Sequence, residues 1–252
     1  MSLDNKQIDD LAAGTATVIL AAGLGKRMGA PIPKVLVELE GRPLIQWVVQ
    51  AAEKAGIGRI IVVIGHKGEM VEAALKGHDV EFVWQRELLG TGHAVMQARP
   101  LLDKHKGLIL VLLGDAPRVR PETIRQILSL HTETGASATV LSADFDDPHG
   151  YGRVVRRPDG LVESIVEERD ADDKIKSINE INSGCICFTA GDLFAALDEV
   201  TNENAQGEYY LTEVPTILRE HGKTVAAHKA EDPVEAAGVN SPDQLDSLKV
   251  NK

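Results

Sequence analysis

The sequence predicts an α/β fold: a doubly wound, mostly parallel sheet sandwiched by helices, with a small hairpin-bearing insertion. Short β-branched runs alternate with amphipathic segments, the pattern of βαβ units. Several runs are apolar at every position, as in Leu108-Ile109-Leu110-Val111-Leu112-Leu113. Such strands need helices on both faces. Glycines close strands into turns, as at Gly23 and Gly114.

In chain order, Thr17 to Leu20 is the first strand, followed by a glycine-rich turn. A helix over Leu44 to Ala55 leads to a strand over Arg59 to Ile64, and a helix over Glu69 to Leu75 leads to a strand over Glu81 to Trp84. His93 to Leu102 reads as one helix before the buried strand Leu108 to Leu113. Pro121 to Thr134 is a helix, Ala138 to Ser142 a strand. From about 143 to 182 the rhythm changes to charged and β-branched residues around Pro158-Asp159-Gly160, a hairpin signal. The buried pattern then resumes, with a strand over Gly184 to Phe188, a helix over Leu193 to Val200, and a short final helix from Ser241.

The chain has 252 residues, of which 43% are hydrophobic and only 4% aromatic, so an aliphatic core of sizeable volume is expected. Without repeats or an obvious linker, residues 1–252 read as a single domain, with 143–182 an excursion within it. A net charge of −11 argues against nucleic-acid or anionic-membrane partners, which call for basic stripes. No apolar run has the length of a membrane span, and the polar segment from Met1 to Asp10 lacks a signal-peptide core, so a cytoplasmic protein is expected. Cys185 and Cys187 share one strand face and read as small buried hydrophobes.

Against this acidic background, Leu20-Ala21-Ala22-Gly23-Leu24-Gly25-Lys26-Arg27-Met28-Gly29 and Pro33-Lys34 concentrate glycines and cations. Glycines let backbone N–H groups approach phosphate oxygens, and Lys26, Arg27 and Lys34 can neutralise a leaving pyrophosphate. The spacing fits neither standard cradle. A P-loop needs Ser or Thr after its Lys, and a dinucleotide fingerprint needs a small residue where Met28 stands. A plain strand-to-helix turn with incidental cations is the alternative for the glycines alone. Asp115 follows a buried strand, where it suits a metal ion, with a helix N-cap or loop hydrogen bond as the alternative.

The segment Leu20 to Met28 with Pro33-Lys34 resembles the signature of the sugar nucleotidyltransferases. Further segments carry the resemblance from about Thr17 to Asn240: Gln85-x-x-x-Leu89-Gly90-Thr91-Gly92-His93-Ala94, Leu113-Gly114-Asp115-Ala116-Pro117, Gly150-Tyr151-Gly152-Arg153, Ile165-Val166-Glu167, Ile181-Asn182-Ser183-Gly184, Gln206 to Glu213, and Gly238-Val239-Asn240. Their order is similar to that in the pyrophosphorylase domain of N-acetylglucosamine-1-phosphate uridylyltransferases.

The resemblance implies a Rossmann-like nucleotidyltransferase fold and Mg²⁺-dependent transfer of UMP from UTP to a sugar 1-phosphate, most closely N-acetylglucosamine 1-phosphate. The substrates it implies are thus small molecules. It places Leu20, Ala21, Ala22, Gly23, Gln85, Gly90 and Thr91 at the nucleotide. It places Gly152, Glu167 and Asn182 at the sugar, Asp115 and Asn240 at Mg²⁺, and Arg27 and Lys34 at the phosphates. An amide such as Gln85 can offer a base edge both a donor and an acceptor. Read without the resemblance, Gln85 is a loop glutamine, Glu167 a solvated strand charge and Asn182 a turn residue.

Departures from the family pattern are Lys26 for Thr, Leu113 for Tyr, Arg169 for Lys and Glu213 for Asp. They leave room for another nucleotide or sugar phosphate, or for a catalytically silent nucleotide-sugar-binding protein. The C-terminal left-handed β-helix of the bifunctional members is not expected in these 252 residues. The oligomeric state is not legible in the sequence.

Overall fold

The structure, a computed structural model, describes residues 3–23 and 32–249. Helix α1 (Asn5–Ala13), not anticipated from its polar sequence, is set by a capping box. Asp4 accepts from the Gln7 backbone N–H at 2.8 Å while the Gln7 side chain returns to the Asp4 N–H at 2.9 Å. Strand β1 (Ala16–Ala21) follows, then a small hairpin of β2 (Glu38–Leu39) and β3 (Arg42–Pro43). Next come α2 (Leu44–Ala55), β4 (Arg59–Ile64), α3 (Gly68–Ala74) and β5 (Glu81–Trp84). Gly56, at φ +85°, ends α2 in the left-handed conformation that glycine adopts without penalty.

The helix expected over His93 to Leu102 is two, α4 (Thr91–Gln97) and α5 (Arg99–Leu102). Pro100 stands in the first turn of α5 and has no N–H with which to continue the preceding ladder. The chain continues through β6 (Leu108–Leu113), α6 (Pro121–Thr134), β7 (Ala138–Asp144), β8 (Arg153–Arg156), β9 (Val162–Val166) and α7 (Asp173–Lys176). It ends with β10 (Glu180–Thr189), α8 (Ala190–Leu197), α9 (Val214–Glu220), β11 (Val225–Lys229) and α10 (Pro242–Ser247). Helix α8 begins three residues before the expected Leu193 and ends before Val200.

The main sheet has the order β11-β7-β10-β6-β1-β4-β5, with the β8–β9 hairpin attached to β10. Strand β1 pairs in parallel with both β4 and β6, while β10 runs antiparallel to β6 and β7. Both faces are buried, which accounts for the unbroken apolar runs. Along β6, Leu110 and Leu112 enter one core beside Val48, Val49, Ile124 and Leu128 of α2 and α6. Ile109 and Val111 enter the other beside Ala94, Leu193 and Leu218. Cys185 and Cys187 lie buried in the first core as free thiols, and burial raises both, Cys185 to about 12. No helix among the described residues is long and apolar enough to cross a membrane.

The sheet also positions the site. From β1 the chain crosses to β4 on one side, and β6 is inserted on the other. The carboxyl ends of β1 and β6 therefore border a topological switch point, where open α/β sheets hold ligands.

Candidate active site

A cleft of about 680 Å³ opens there, and it gathers residues from every expected segment. Leu20, Ala21, Ala22 and Gly23 enter at the end of β1; Lys34 lies before β2; Gln85, Gly90 and Thr91 come from the β5–α4 connection. Asp115 lies after β6, Gly152 before β8, Glu167 after β9, Asn182 within β10 and Asn240 before α10. Lys26 and Arg27 lie outside the described residues.

At one end, Lys34 Nζ pairs with Asp115 Oδ2 and donates to Asn240 Oδ1 at 3.0 Å. The strap carrying Asn240 is tied down where the Val239 N–H donates to the Asp115 carbonyl at 2.9 Å. A carboxylate and an amide oxygen thus converge on one cation, a donor set that suits Mg²⁺, which takes few protein oxygens and completes its shell with phosphate and water. Among the described residues no cluster of three or more His, Cys, Asp or Glu side chains offers another metal site. Opposite, the Gly114 N–H donates to the Leu20 carbonyl at 2.9 Å, fastening the two strand ends together.

At the second end, Gln85 is 4% exposed. Its Nε2 donates to the Gly90 carbonyl at 3.0 Å and lies 3.0 Å from His93 Nδ1. The amide nitrogen thus faces protein partners on two sides. The surrounding loop is stitched to residues 209–211. Tyr209 N–H donates to the Leu89 carbonyl, Gly92 N–H to the Tyr209 carbonyl, both at 2.8 Å, and Leu211 N–H to Thr91 Oγ1 at 3.0 Å. Gly90 sits at φ +111°, and a Cβ there would lie 2.6 Å from the Tyr209 carbonyl oxygen, so the close approach requires glycine.

On the third side, Asn182 Oδ1 accepts from the Gly184 N–H at 3.0 Å, and its NH₂ is the side chain's donor group. This turn causes the register shift of β10 between Asn182 and Ile186, with Gly184 at φ +80°. Gly152 accepts from the Asn182 N–H at 2.8 Å. Glu167 is half-buried and receives Thr212 Oγ1–H at 2.9 Å. Burial raises its carboxyl above the usual range; the Thr212 hydrogen bond opposes this, and the charges of Asp170 and Glu208 add to it.

Residues 17–224 match the family model described as the MobA-like NTP transferase domain. The chain belongs to this family. It is 50% identical over 228 residues to the bifunctional protein GlmU of Heliobacterium modesticaldum, covering 90% of this chain and 50% of that protein. With the bifunctional protein GlmU of Caldanaerobacter subterraneus subsp. tengcongensis it shares 48% identity over 233 residues, covering 92% and 50%. The chain thus spans about half the length of the curated relatives it matches. Among solved structures, a UDP-glucose pyrophosphorylase complexed with UDP-glucose superposes with a TM-score of 0.76 over 93% of this chain and 96% of that one. At 20% identity this likeness shows the fold, a Rossmann-like nucleotidyltransferase sheet with helices on both faces.

Within this transferase fold, the cleft also contains residues that sequence reasoning did not place. Thr212 belongs to a segment legible only as a family marker, and its bond to Glu167 joins residues 45 apart in sequence. Tyr151 Oη ties the loop before β8 to the Asn240 strap through the Gly238 backbone, both contacts at 3.3 Å. Leu113, where the pattern has Tyr, lines the cleft against Gly184, at which a Cβ would come within 2.5 Å of Leu113 Cδ1.

Proposed function

We propose that this chain transfers UMP from UTP to a sugar 1-phosphate, N-acetylglucosamine 1-phosphate in the best reading, releasing pyrophosphate. The observation that carries the proposal is the convergence of Lys34, Asp115 and Asn240 at one end of a cleft whose other walls hold Gln85 and Glu167 with Asn182. The named relatives add weight, since GlmU proteins match across nine-tenths of this chain.

In this reading a phosphate oxygen of the sugar phosphate attacks the α-phosphorus of UTP in line. The P–O bond to the β-phosphate breaks, and pyrophosphate leaves with the electron pair. No protein nucleophile is needed, so alignment and charge neutralisation carry the catalysis. Asp115 and Asn240 would hold Mg²⁺, which when bound neutralises phosphate oxygens. Lys34, next to both, serves the α-phosphate, and Arg27 the leaving pyrophosphate. Leu20 to Gly23, Gly90 and Thr91 border the nucleotide, and Gln85 Oε1 accepts from an N–H on the base edge. Gly152 offers backbone to the sugar, Glu167 accepts from a sugar hydroxyl, and the Asn182 NH₂ donates to the acetamido carbonyl.

A matrix of nucleoside triphosphates and sugar 1-phosphates, read by pyrophosphate release with and without Mg²⁺, tests the reading. Release is expected only with both substrates and metal, highest for UTP with N-acetylglucosamine 1-phosphate. Turnover with a different pair would reassign the substrates, to which the Leu113 departure points. Binding without turnover for every pair would leave a silent nucleotide-sugar-binding protein.

A further inference from the structure

We propose that His93 is a positioning residue for nucleobase selection: by accepting a hydrogen bond from Gln85, it holds that amide so that only its carbonyl oxygen faces the base. The inference rests on the reading that the cleft takes a nucleotide base beside Gln85. The Gly90 carbonyl, 3.0 Å from Gln85 Nε2, can only accept, so the amide nitrogen must face it. His93 Nδ1, also 3.0 Å from that nitrogen, takes the second amide proton. Accepting there leaves the ring proton to Nε2. The Gln97 amide nitrogen lies 3.1 Å from Nε2 and donates to the His93 backbone carbonyl, also at 3.1 Å.

Gln85 is nearly inaccessible, so water does not substitute for either partner. With both protons spent, the amide oxygen is the group left toward the cleft. An acceptor there suits a base with an N–H on its pairing edge, as at N3 of uracil. It opposes cytosine, whose N3 is itself an acceptor. His93 does not line the cleft, so its effect is exerted through Gln85. In a His93→Ala variant one amide proton loses its partner and is free to turn to the ligand, which relaxes the preference for an N–H donor.

Calorimetric binding of UTP and CTP tests this independently of turnover, in the unaltered protein, His93→Ala and His93→Asn. The Asn side chain puts a carbonyl oxygen near the place of Nδ1. Thermal melts establish that each variant is folded. His93→Ala is expected to reduce the UTP-to-CTP affinity ratio about fivefold, the worth of one hydrogen bond, while His93→Asn restores it. An unchanged ratio in a folded His93→Ala protein, or equal loss in both variants, overturns the proposal. It also falls if the unaltered protein binds neither nucleotide. Binding with a clear ratio but no pyrophosphate release refutes the transferase reading and leaves the role of His93 standing.

Discussion

Replacing Thr212 by Val keeps the shape of the side chain and removes a hydroxyl that donates to Glu167 Oε1, at 2.9 Å. Burial already raises the Glu167 carboxyl, and the Thr212 bond opposes that rise. A hydrogen bond to a charged group contributes about 1.5–3 kcal/mol, equivalent to roughly 10- to 150-fold in an equilibrium. If ionised Glu167 orients a sugar hydroxyl, Thr212→Val should raise the KM for the sugar phosphate at least about tenfold at saturating UTP. The KM for UTP should change little. Because the variant disfavours the carboxylate further, the acidic limb of kcat/KM should move to higher pH. Pyrophosphate release across pH at varied sugar phosphate measures both effects. A folded variant with unchanged sugar-phosphate KM and an unmoved acidic limb would refute this role for the Thr212–Glu167 pair.

Other expectations follow from the same geometry. Asp115→Ala should reduce turnover by about 100-fold at moderate Mg²⁺, with partial recovery at high Mg²⁺; unaltered metal dependence of the rate would reject the assignment. Gly90→Ala places a Cβ 2.6 Å from the Tyr209 carbonyl oxygen at φ +111°, so a loss of about 2 kcal/mol in denaturant unfolding and weaker UTP binding are expected. His131, buried between Thr139 Oγ1 at 3.0 Å and Thr189 Oγ1 at 3.2 Å, is pushed by burial from its ordinary 6.5 down to about 4. Its neutral form is favoured on folding, so its contribution is complete above pH 6.5 and fades as pH falls toward 4, by about 3 kcal/mol. Unfolding of His131→Gln between pH 7 and 4.5 should show a shallower pH dependence than the unaltered protein; equal slopes would assign the effect elsewhere.

Local signals determined much of this protein. The strands Arg59–Ile64, Glu81–Trp84 and Leu108–Leu113 and the helices Leu44–Ala55 and Pro121–Thr134 have the bounds read from the chain. Apolar runs buried on two faces and terminators such as Gly56 and Gly135 are visible in adjacent residues. The separated motifs likewise marked the transferase family and named the residues that meet in the cleft. Where the signal was weaker, reading fell short. The capping box of α1 was present in Asp4 and Gln7, and Pro100 already marked the break between α4 and α5. Only the tertiary structure decided that β10 runs antiparallel between β6 and β7, because pairing direction depends on distant partners. It alone joined Lys34 to Asn240, 206 residues away, set the Gln85 amide nitrogen against Gly90 and His93, and set Thr212 against Glu167. A side chain's residue type limits which hydrogen bonds it can make, but the partners it meets are set by the packing of the sheet and its connections, and spacing along the chain carries no record of them.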